Sequence, residues 1–308
     1  MDVSVGKVLS DRAIVAHTKR HARRIKAHLG TYFERRALGI KQPVEDFLFV
    51  YYRFKPSRLL RWLPGISVRG RGEAAEAWLD LPGFVRFEDG TVGCNASLFP
   101  EGRRAGLAFA HEVLQQTQLR SPQFGCSGRH EWAMVYRADA ARHAEAPLRV
   151  DAKTIAAVVE DGPLLCTHFD AFRFFEPEAK PLNAVTLSRE LMPMREQPGC
   201  LHSNMDIYRW AFKLYPFVSS EVLLDAFLFA LRVRRVDMRA SPYDAQQWGL
   251  APICIETEEG RRQYRSYQKT FYEQGRGLRA RLLREIEQLR ASLPTEKQSD
   301  ANGGSLKS

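Results

Sequence analysis

Four short segments of the sequence set acids, histidines and arginines among large aromatic residues. The segments are CSGRHEWAMVYR (126–137), CTHFDAFRFF (166–175), GCLHSNMDIYRWAFK (199–213) and DMRASPYD (237–244). A polar or charged group that is buried without a partner costs several kcal/mol, so such groups pair with one another or meet a ligand. The pattern therefore predicts that the four segments share one interior site, and it favours an enzyme over a scaffold.

The carboxylates and imidazoles of these segments are the groups suited to acid–base chemistry. The candidate catalytic residues are Asp170, Glu131, His130, His168 and Asp206. Aromatic rings can stack on a planar base, more strongly when the base is cationic, and arginines can bind a phosphate. The candidate substrate-binding residues are Trp132, Tyr136, Arg137, Phe169, Arg173, His202, Tyr208, Trp210, Arg239 and Asp244. The alternative for most of the aromatic residues is an ordinary place in the core.

Two other interpretations of the same residues stay open. His130, His168 and His202 could bind a divalent metal ion together with nearby carboxylates, although no two of them have the H-x-x-x-H spacing. We expect no cofactor, with a divalent metal ion as the alternative. Helix capping is the second interpretation, because the pattern S/T-x-x-D/E ends at each of three acids. These acids are Asp170, Asp206 and Asp244.

The cysteines indicate a reducing compartment. There are five, an odd number, with no C-x-x-C pair, which suits the cytoplasm. Cys126, Cys166 and Cys200 each lie close to a histidine in sequence, but a nucleophilic cysteine needs its base beside it in space. No apolar run reaches the roughly 20 residues that cross a bilayer, and the N-terminus has no signal-peptide pattern. We expect a cytoplasmic protein without a membrane partner, and the sequence predicts no oligomeric state.

Apolar periodicity and turn residues predict a mainly α fold with a few short strands, folded as a single compact domain. Short strands are expected within 64–102 and, from clustered β-branched residues, within 155–169. The predicted boundaries are an N-terminal tail (1–10), one helical domain (11–293) and a disordered tail (294–308). The domain divides into a basic helix (11–39), a core that contains the motifs (40–257) and a long C-terminal helix (258–293).

The formal net charge of +10 lies at the two ends of this domain. Residues 11–39 contain eight Lys/Arg and two Asp/Glu, and residues 258–293 contain nine and five, which leaves 40–257 neutral. A solvated outer face explains such helices in most proteins. A non-catalytic alternative is that these helices bind nucleic acid or another partner.

Long stretches of the chain resemble a bacterial family labelled 3-methyladenine DNA glycosylase. They are PVEDFLFVYYRFKP, HEWAMVYR, THFDAFRFF, EQPGCLHSNMDIYRWAFKL, DMRASPYD and IETEEGRRQY, within residues 43–264. The resemblance implies an N-glycosidic hydrolase that removes an alkylated or modified purine such as 3-methyladenine, with DNA or a purine nucleoside as its partner. The alternatives are a metal-dependent hydrolase or oxygenase and a basic binding module without catalysis.

The chemistry of that label can be matched to residues. An alkylated base must be flipped out and held between aromatic faces, while a carboxylate orients water or stabilises the cationic sugar. Asp170 or Glu131 would supply the carboxylate, and His130 or His168 would orient it. Arg137, Arg173 or Arg239 would meet a phosphate.

One sequence feature separates the chain from the standard helix-hairpin-helix glycosylases. The nearest approach to their glycine-rich hairpin is Leu63-Pro64-Gly65-Ile66, followed by Asp89, and Ser67 stands where a second glycine is needed. We therefore expect a different fold.

Overall fold

Helices account for most of the chain in the computed structural model, which describes residues 7–138 and 146–294. The predicted mainly α fold, in one compact unit, is confirmed. The α-helices are α1 (Asp11–Ala37), α2 (Pro43–Val50), α3 (Glu73–Glu76), α4 (Arg104–Leu119), α5 (Arg129–Ala133), α6 (Ala152–Glu160), α7 (Phe169–Phe172), α8 (Met192–Arg195), α9 (Leu201–Lys213), α10 (Ser220–Ala240) and α11 (Glu258–Ala291). Short 3-10 helices occupy Pro56–Leu59, Ala96–Leu98, Glu101–Arg103, Lys180–Leu182 and Gln246–Trp248.

A small sheet lies beside the helices. Its strands are β1 (Lys7–Leu9), β2 (Val68–Gly70), β3 (Phe84–Arg86) and β4 (Val92–Cys94), in the order β1-β2-β4-β3. β1 runs parallel to β2, with Lys7 opposite Val68, and the other pairs are antiparallel. Three strands fall within the predicted 64–102 region. β1 corrects the prediction of a tail over 1–10, because its backbone pairs with β2; residues 1–6 and 295–308 lie outside the described part of the chain.

Helix α9 lies at the centre of the fold and positions the site. It packs against α10, α11 and α4, and almost all of its side chains are buried, including the polar Ser203, Asn204 and Asp206. Buried polar groups need partners inside the protein. These partners come from α11, from α9 itself, from Tyr52 just after α2 and from the loops that precede α7 and α9.

The strand prediction within 155–169 is wrong for residues 155–160, which lie in a helix. Residues 152–160 form α6, whose buried Ile155, Val158 and Val159 have helical spacing. The Asp151 side chain caps this helix by accepting a hydrogen bond from the Thr154 N–H at 2.8 Å. The helical period and this cap outweigh the β-branched composition. Beyond the helix, Leu164 makes only an isolated bridge to Asn183.

The structure does not support the capping interpretation of the three acids. Asp206 lies inside α9, which begins five residues earlier, and Asp244 follows the end of α10, where its Oδ1 accepts from the Gln246 N–H at 2.9 Å. At α7 the cap is His168, whose Nδ1 accepts from the Ala171 N–H at 3.2 Å. None of the three acids caps a helix through the predicted Ser or Thr pattern.

The hairpin-like segment Leu63–Ile66 packs against the loop before α10. Gly65 has a φ of +70°, and the Ile66 N–H donates to the Phe217 carbonyl. Asp89, the nearest match to a catalytic hairpin acid, instead accepts from Thr91 within a surface turn. These contacts agree with the expectation of a fold other than the helix-hairpin-helix type. Within residues 7–138 and 146–294, no helix has both the length and the apolar composition to cross a membrane.

Two glycines of α11 provide a matched stability test. A Cβ on Gly275 would lie 2.2 Å from Oδ1 of the buried Asn204, while nothing lies within 4 Å of a Cβ on Gly277. Gly275→Ala is expected to lower the free energy of unfolding by about 1–3 kcal/mol through overpacking. Gly277→Ala should raise it by about 0.5–1 kcal/mol, because alanine favours the helix. Urea unfolding of both variants checks the prediction, and equal effects of one sign would contradict it.

Candidate active site

A cavity of about 140 Å³ opens between α2, α5, α7, α9 and α10. Phe47, Tyr51 and Phe174 form its aromatic wall. Five of the predicted site residues also line it: Glu131, His168, Asp170, His202 and Asp206. Residues from three of the four polar segments therefore meet at one place, and the fourth segment contributes Asp237 just behind the wall.

Asp206 is held as an ionised carboxylate on one side of the cavity. The Tyr52 hydroxyl donates to its Oδ1 at 2.7 Å, and Arg209 donates to its Oδ2 at 2.7 Å. Arg209 also pairs with Asp170. Burial alone would raise the pKa of Asp206, but the charge of Arg209 and the contact with His168 outweigh burial and hold the pKa below its ordinary value.

His168 stands between Asp206 and a second acid, Glu196. Since its Nδ1 accepts from the Ala171 N–H, the ring hydrogen lies on Nε2, which is 3.2 Å from Asp206 Oδ2 and 3.6 Å from Glu196 Oε1. Burial lowers the pKa of His168, but these two acids outweigh burial and raise it. Burial raises the pKa of Glu196 to about 7, so this acid retains a proton at pH values where an exposed glutamate has lost it.

Glu196 gives the protein a pH-dependent stability. Its folded-state pKa of about 7 is above the ordinary value of 4.5, so the folded state binds more protons than the unfolded state between these values. The stability therefore falls as pH rises from 4.5 to 7. We expect the free energy of unfolding of the wild type to drop by up to about 3 kcal/mol relative to Glu196→Gln over this window. Urea unfolding at pH 5.0 and 7.5 measures the difference, with the exposed Glu190→Gln as control; parallel pH dependences of wild type and Glu196→Gln would refute it.

A second buried cluster is centred on Arg234. Its Nη1 donates to Glu131 Oε1 and to Asp237 Oδ2, both at 2.8 Å. Burial raises the pKa of Glu131, with Arg234 opposing the shift in part. Burial would also raise the pKa of Asp237, but His130, whose Nε2 lies 2.7 Å away, outweighs it and the pKa of Asp237 is lowered. Two acids of the cavity, Glu131 and Asp206, thus have pKa values moved in opposite directions, as separate acid–base roles require.

Three histidine rings connect the two clusters. The centroid of the His202 ring is 4.4 Å from that of His130 and 5.3 Å from that of His168. Burial and the neighbouring His130 lower the pKa of His202, so the middle ring is neutral. His130 does not line the cavity, but it contacts a ring that does.

Two groups of side chains in the described part of the chain have ligand atoms close enough together to bind one metal ion. His130, Glu131, His202 and Asp237 form one group, and His168, Glu196 and Asp206 form the other. The three histidines of the predicted metal set are therefore divided between two groups. In the first group the guanidinium of Arg234 already provides the cation between the carboxylates. In the second, a metal ion would have to displace the hydrogen on His168 Nε2.

Searches against protein-family models, curated proteins and solved structures gave no match. The chemistry of the cavity is therefore inferred from its own geometry.

Several predicted substrate-binding residues lie outside the cavity lining. The indole N–H of Trp132 donates to the Ala240 carbonyl at 2.8 Å, and Tyr208 is fully buried among aromatic rings. The ordinary-core alternative therefore describes them. The others outside the lining are Tyr136, Arg137, Phe169, Arg173, Trp210, Arg239 and Asp244.

Two of the three arginines predicted to meet a phosphate lie on the surface, away from the cavity lining. Arg137 pairs with Glu160 and Glu178, and Arg239 donates to the Ala251 carbonyl. Of the three arginines predicted to meet a phosphate, only Arg173 adjoins the cavity. Its guanidinium is half-exposed, pairs with Asp170, and lies 4.3 Å from the centroid of the Phe174 ring.

The structure adds residues that the sequence analysis did not select. They are Phe47, Tyr51, Tyr52, Glu196, Arg209, Arg234 and Asp237. The sequence could have indicated two of these pairs, Asp206 with Arg209 and Arg234 with Asp237. In each pair the arginine and the acid lie three residues apart on an apolar helix, where each charge needs a partner. The aromatic run of α2 indicated only a buried helix.

Proposed function

We propose that the protein is an N-glycosidic hydrolase that acts on an alkylated or modified purine such as 3-methyladenine. One observation carries the proposal: an aromatic-walled cavity holds two acids with opposed pKa shifts, Glu131 and Asp206. Base excision needs both an aromatic surface for the base and carboxylates for the sugar and the water. The resemblance to the glycosylase family supports the same activity.

The dimensions of the cavity limit what can enter. A cavity of 150 Å³ is known to accommodate benzene, and this one has about 140 Å³. One ring of a purine would therefore lie inside and its sugar would remain at the mouth. Phe47 and Tyr51 stack on each other with ring planes 8° apart and contribute aromatic surface to the wall, and the Arg234 guanidinium already lies 4.0 Å from the Phe47 centroid. An aromatic surface attracts a cationic base more than a neutral one.

The acids of the cavity would have different roles in the reaction. As the C–N bond breaks, its electron pair neutralises the cationic base, so departure of the base needs no acid. The positive charge that develops on the sugar would be stabilised by the carboxylates of Asp206 and Asp170. Glu131, whose pKa is raised by burial, would accept the proton of the attacking water as the general base. Arg173 at the mouth would bind a phosphate next to the sugar.

Release of free base tests the proposal directly. Purified protein is incubated with methylated DNA and, separately, with a methylated purine nucleoside, and free 3-methyladenine is quantified by chromatography. We expect release by the wild type and loss of release in Asp170→Asn. The matched control is Asp244→Asn, because that carboxylate lies in a turn outside the cavity lining. Equal background release by wild type and Asp170→Asn on both substrates would end the proposal.

A metal-dependent hydrolase or oxygenase is the second candidate, favoured by the close set His168, Glu196 and Asp206. Removal of metal separates the two candidates. The hydrolase proposed above retains full base release after exhaustive dialysis against EDTA, because its carboxylates act without a metal. A metal-dependent enzyme would lose activity, regain it with one stoichiometric ion, and show that ion in elemental analysis.

The basic helices support a third, non-catalytic candidate. α1, α10 and α11 border a groove of about 1050 Å³ that contains Arg24, Arg281 and Arg284. Asp225 pairs with the first two of these arginines, at 2.5 and 2.6 Å, so part of the charge is already neutralised. A nucleic-acid-binding module would bind DNA with an affinity that falls steeply with salt and that Asp170→Asn leaves unchanged. Salt-insensitive binding would exclude it.

A further inference from the structure

The sulfur of Cys126 belongs to a three-residue chain of contacts that the proposed hydrolysis does not use. Cys126 Sγ lies 3.3 Å from His130 Nδ1, and the other ring nitrogen, Nε2, lies 2.7 Å from Asp237 Oδ1. A thiol, an imidazole and a carboxylate in this order form the arrangement that activates cysteine nucleophiles. Cys126 and His130 are only four residues apart, whereas Asp237 comes from α10.

The base of this chain is fixed in place. His130 is 3% exposed, and Asp237, which is fully buried, is held from its other oxygen by Arg234 at 2.8 Å. The imidazole therefore cannot turn away from the sulfur without losing its contact with Asp237 Oδ1. Cys126 is partly buried as a residue, but its thiol is enclosed by protein, so only a small molecule can approach its sulfur.

The charges around the sulfur favour a thiolate beside an imidazolium. Burial raises the pKa of Cys126, but His130 and the backbone N–H groups of Gly128 and His130 outweigh it, and the pKa is lowered. Burial lowers the pKa of His130, but Asp237 and Cys126 outweigh it and raise it. The other titratable or charged groups that interact with this sulfur are Arg129, Cys166, Cys200 and Tyr264.

We infer that Cys126 is a nucleophilic cysteine, activated by His130 and Asp237, that forms a covalent adduct with small, neutral carbon electrophiles. The thiolate attacks an sp³ carbon, the S–C bond forms, and the bond from that carbon to its leaving group breaks. The leaving group departs with the electron pair and, if it is basic, takes the proton from His130. A small, neutral reagent is favoured because the thiol is enclosed by protein, where a charged reagent would lose its hydration.

Alkylation of the native wild-type protein tests the inference, with Cys254 as an internal control. Cys254 is also partly buried, but burial and Glu256 raise its pKa and no histidine contacts it among the described residues. The protein is treated with iodoacetamide at pH 6.0 and 8.5, and adducts at each cysteine are quantified by peptide mass spectrometry. Cys126 should react at least about tenfold faster than Cys254 at pH 6.0, with a rate that rises less steeply than that of Cys254 between the two pH values. The Cys254 rate should rise on the order of a hundredfold.

A variant of Asp237 distinguishes electrostatic activation of Cys126 from a purely structural role of this contact. Asp237→Asn keeps the size of the side chain but removes the charge that stabilises the imidazolium, so the Cys126 rate should acquire the steep pH dependence of Cys254. The surface variant Asp225→Asn should keep the wild-type pH profile. If Asp237→Asn does not fold, the wild-type comparison still decides. Two results would overturn the inference. In one, the wild-type rates of both cysteines rise in parallel with pH; in the other, Cys126 reacts only after denaturation.

Discussion

Glu131→Gln is expected to lower the rate of base release by about 10²–10⁴-fold, the usual contribution of a general base. Glutamine keeps the size of the side chain and can still accept the hydrogen bond from Arg234 through its amide oxygen, but it cannot take a proton from water. The loss should therefore appear in kcat, with KM nearly unchanged. Steady-state kinetics on a methylated purine substrate measure both constants.

The matched control for Glu131→Gln is Glu160→Gln. Glu160 is a surface acid that accepts from Tyr136 and Arg137, outside the cavity lining. Its variant should keep the wild-type kcat within about twofold, since surface substitutions rarely matter. A Glu131→Gln enzyme with the same near-normal kcat would remove Glu131 from the mechanism.

The pH profile of kcat follows from the same assignment. A general base must be ionised, so activity should fall as pH drops through the pKa of Glu131, and burial places this fall above the ordinary value of 4.5. Asp206, whose pKa is lowered, stays ionised throughout this range. The residual activity of Glu131→Gln should lack the acidic limb. An identical limb in the variant would assign the titration to another group.

Asp237→Ala should reduce the free energy of unfolding by about 3–5 kcal/mol, the effect of removing one partner from a buried ion pair. Asp237 is fully buried and compensates the charges of Arg234 and His130. Without it, Arg234 would keep only Glu131 as a carboxylate partner, and His130 would keep only the Cys126 sulfur. Urea unfolding with the midpoint and m-value fitted separately measures the loss, because a change in m would signal a change in the denatured state.

Asp225→Ala is the control for that stability prediction. Asp225 also pairs with two arginines, Arg24 and Arg281, but at the protein surface, where an ion pair contributes about 0–1 kcal/mol. The two variants thus remove similar pairs that differ in burial. If both variants lose a similar free energy of unfolding, burial does not determine how much Asp237 contributes to stability.

The sequence by itself determined much of the local structure. Apolar periodicity and end signals predicted α11 nearly to its observed ends, whereas the run of β-branched residues misled at α6, where a helical spacing of buried residues decided the outcome. Burial costs also selected three segments whose residues meet, since five candidate residues line one cavity. These features depend on neighbours within a few positions, which the sequence displays directly.

Only the tertiary structure decided which polar groups meet. Glu131 and Arg234 are 103 positions apart, His130 and Asp237 107, and Tyr52 and Asp206 154. Such pairs depend on how α9 and α10 pack against α2, α5 and the loop before α7, and no local pattern encodes that packing. The same packing placed Trp132 and Tyr208 in the core, because a large aromatic side chain is equally suited to a binding wall and to an interior. Every buried charge here required a partner, but only the fold could specify which one.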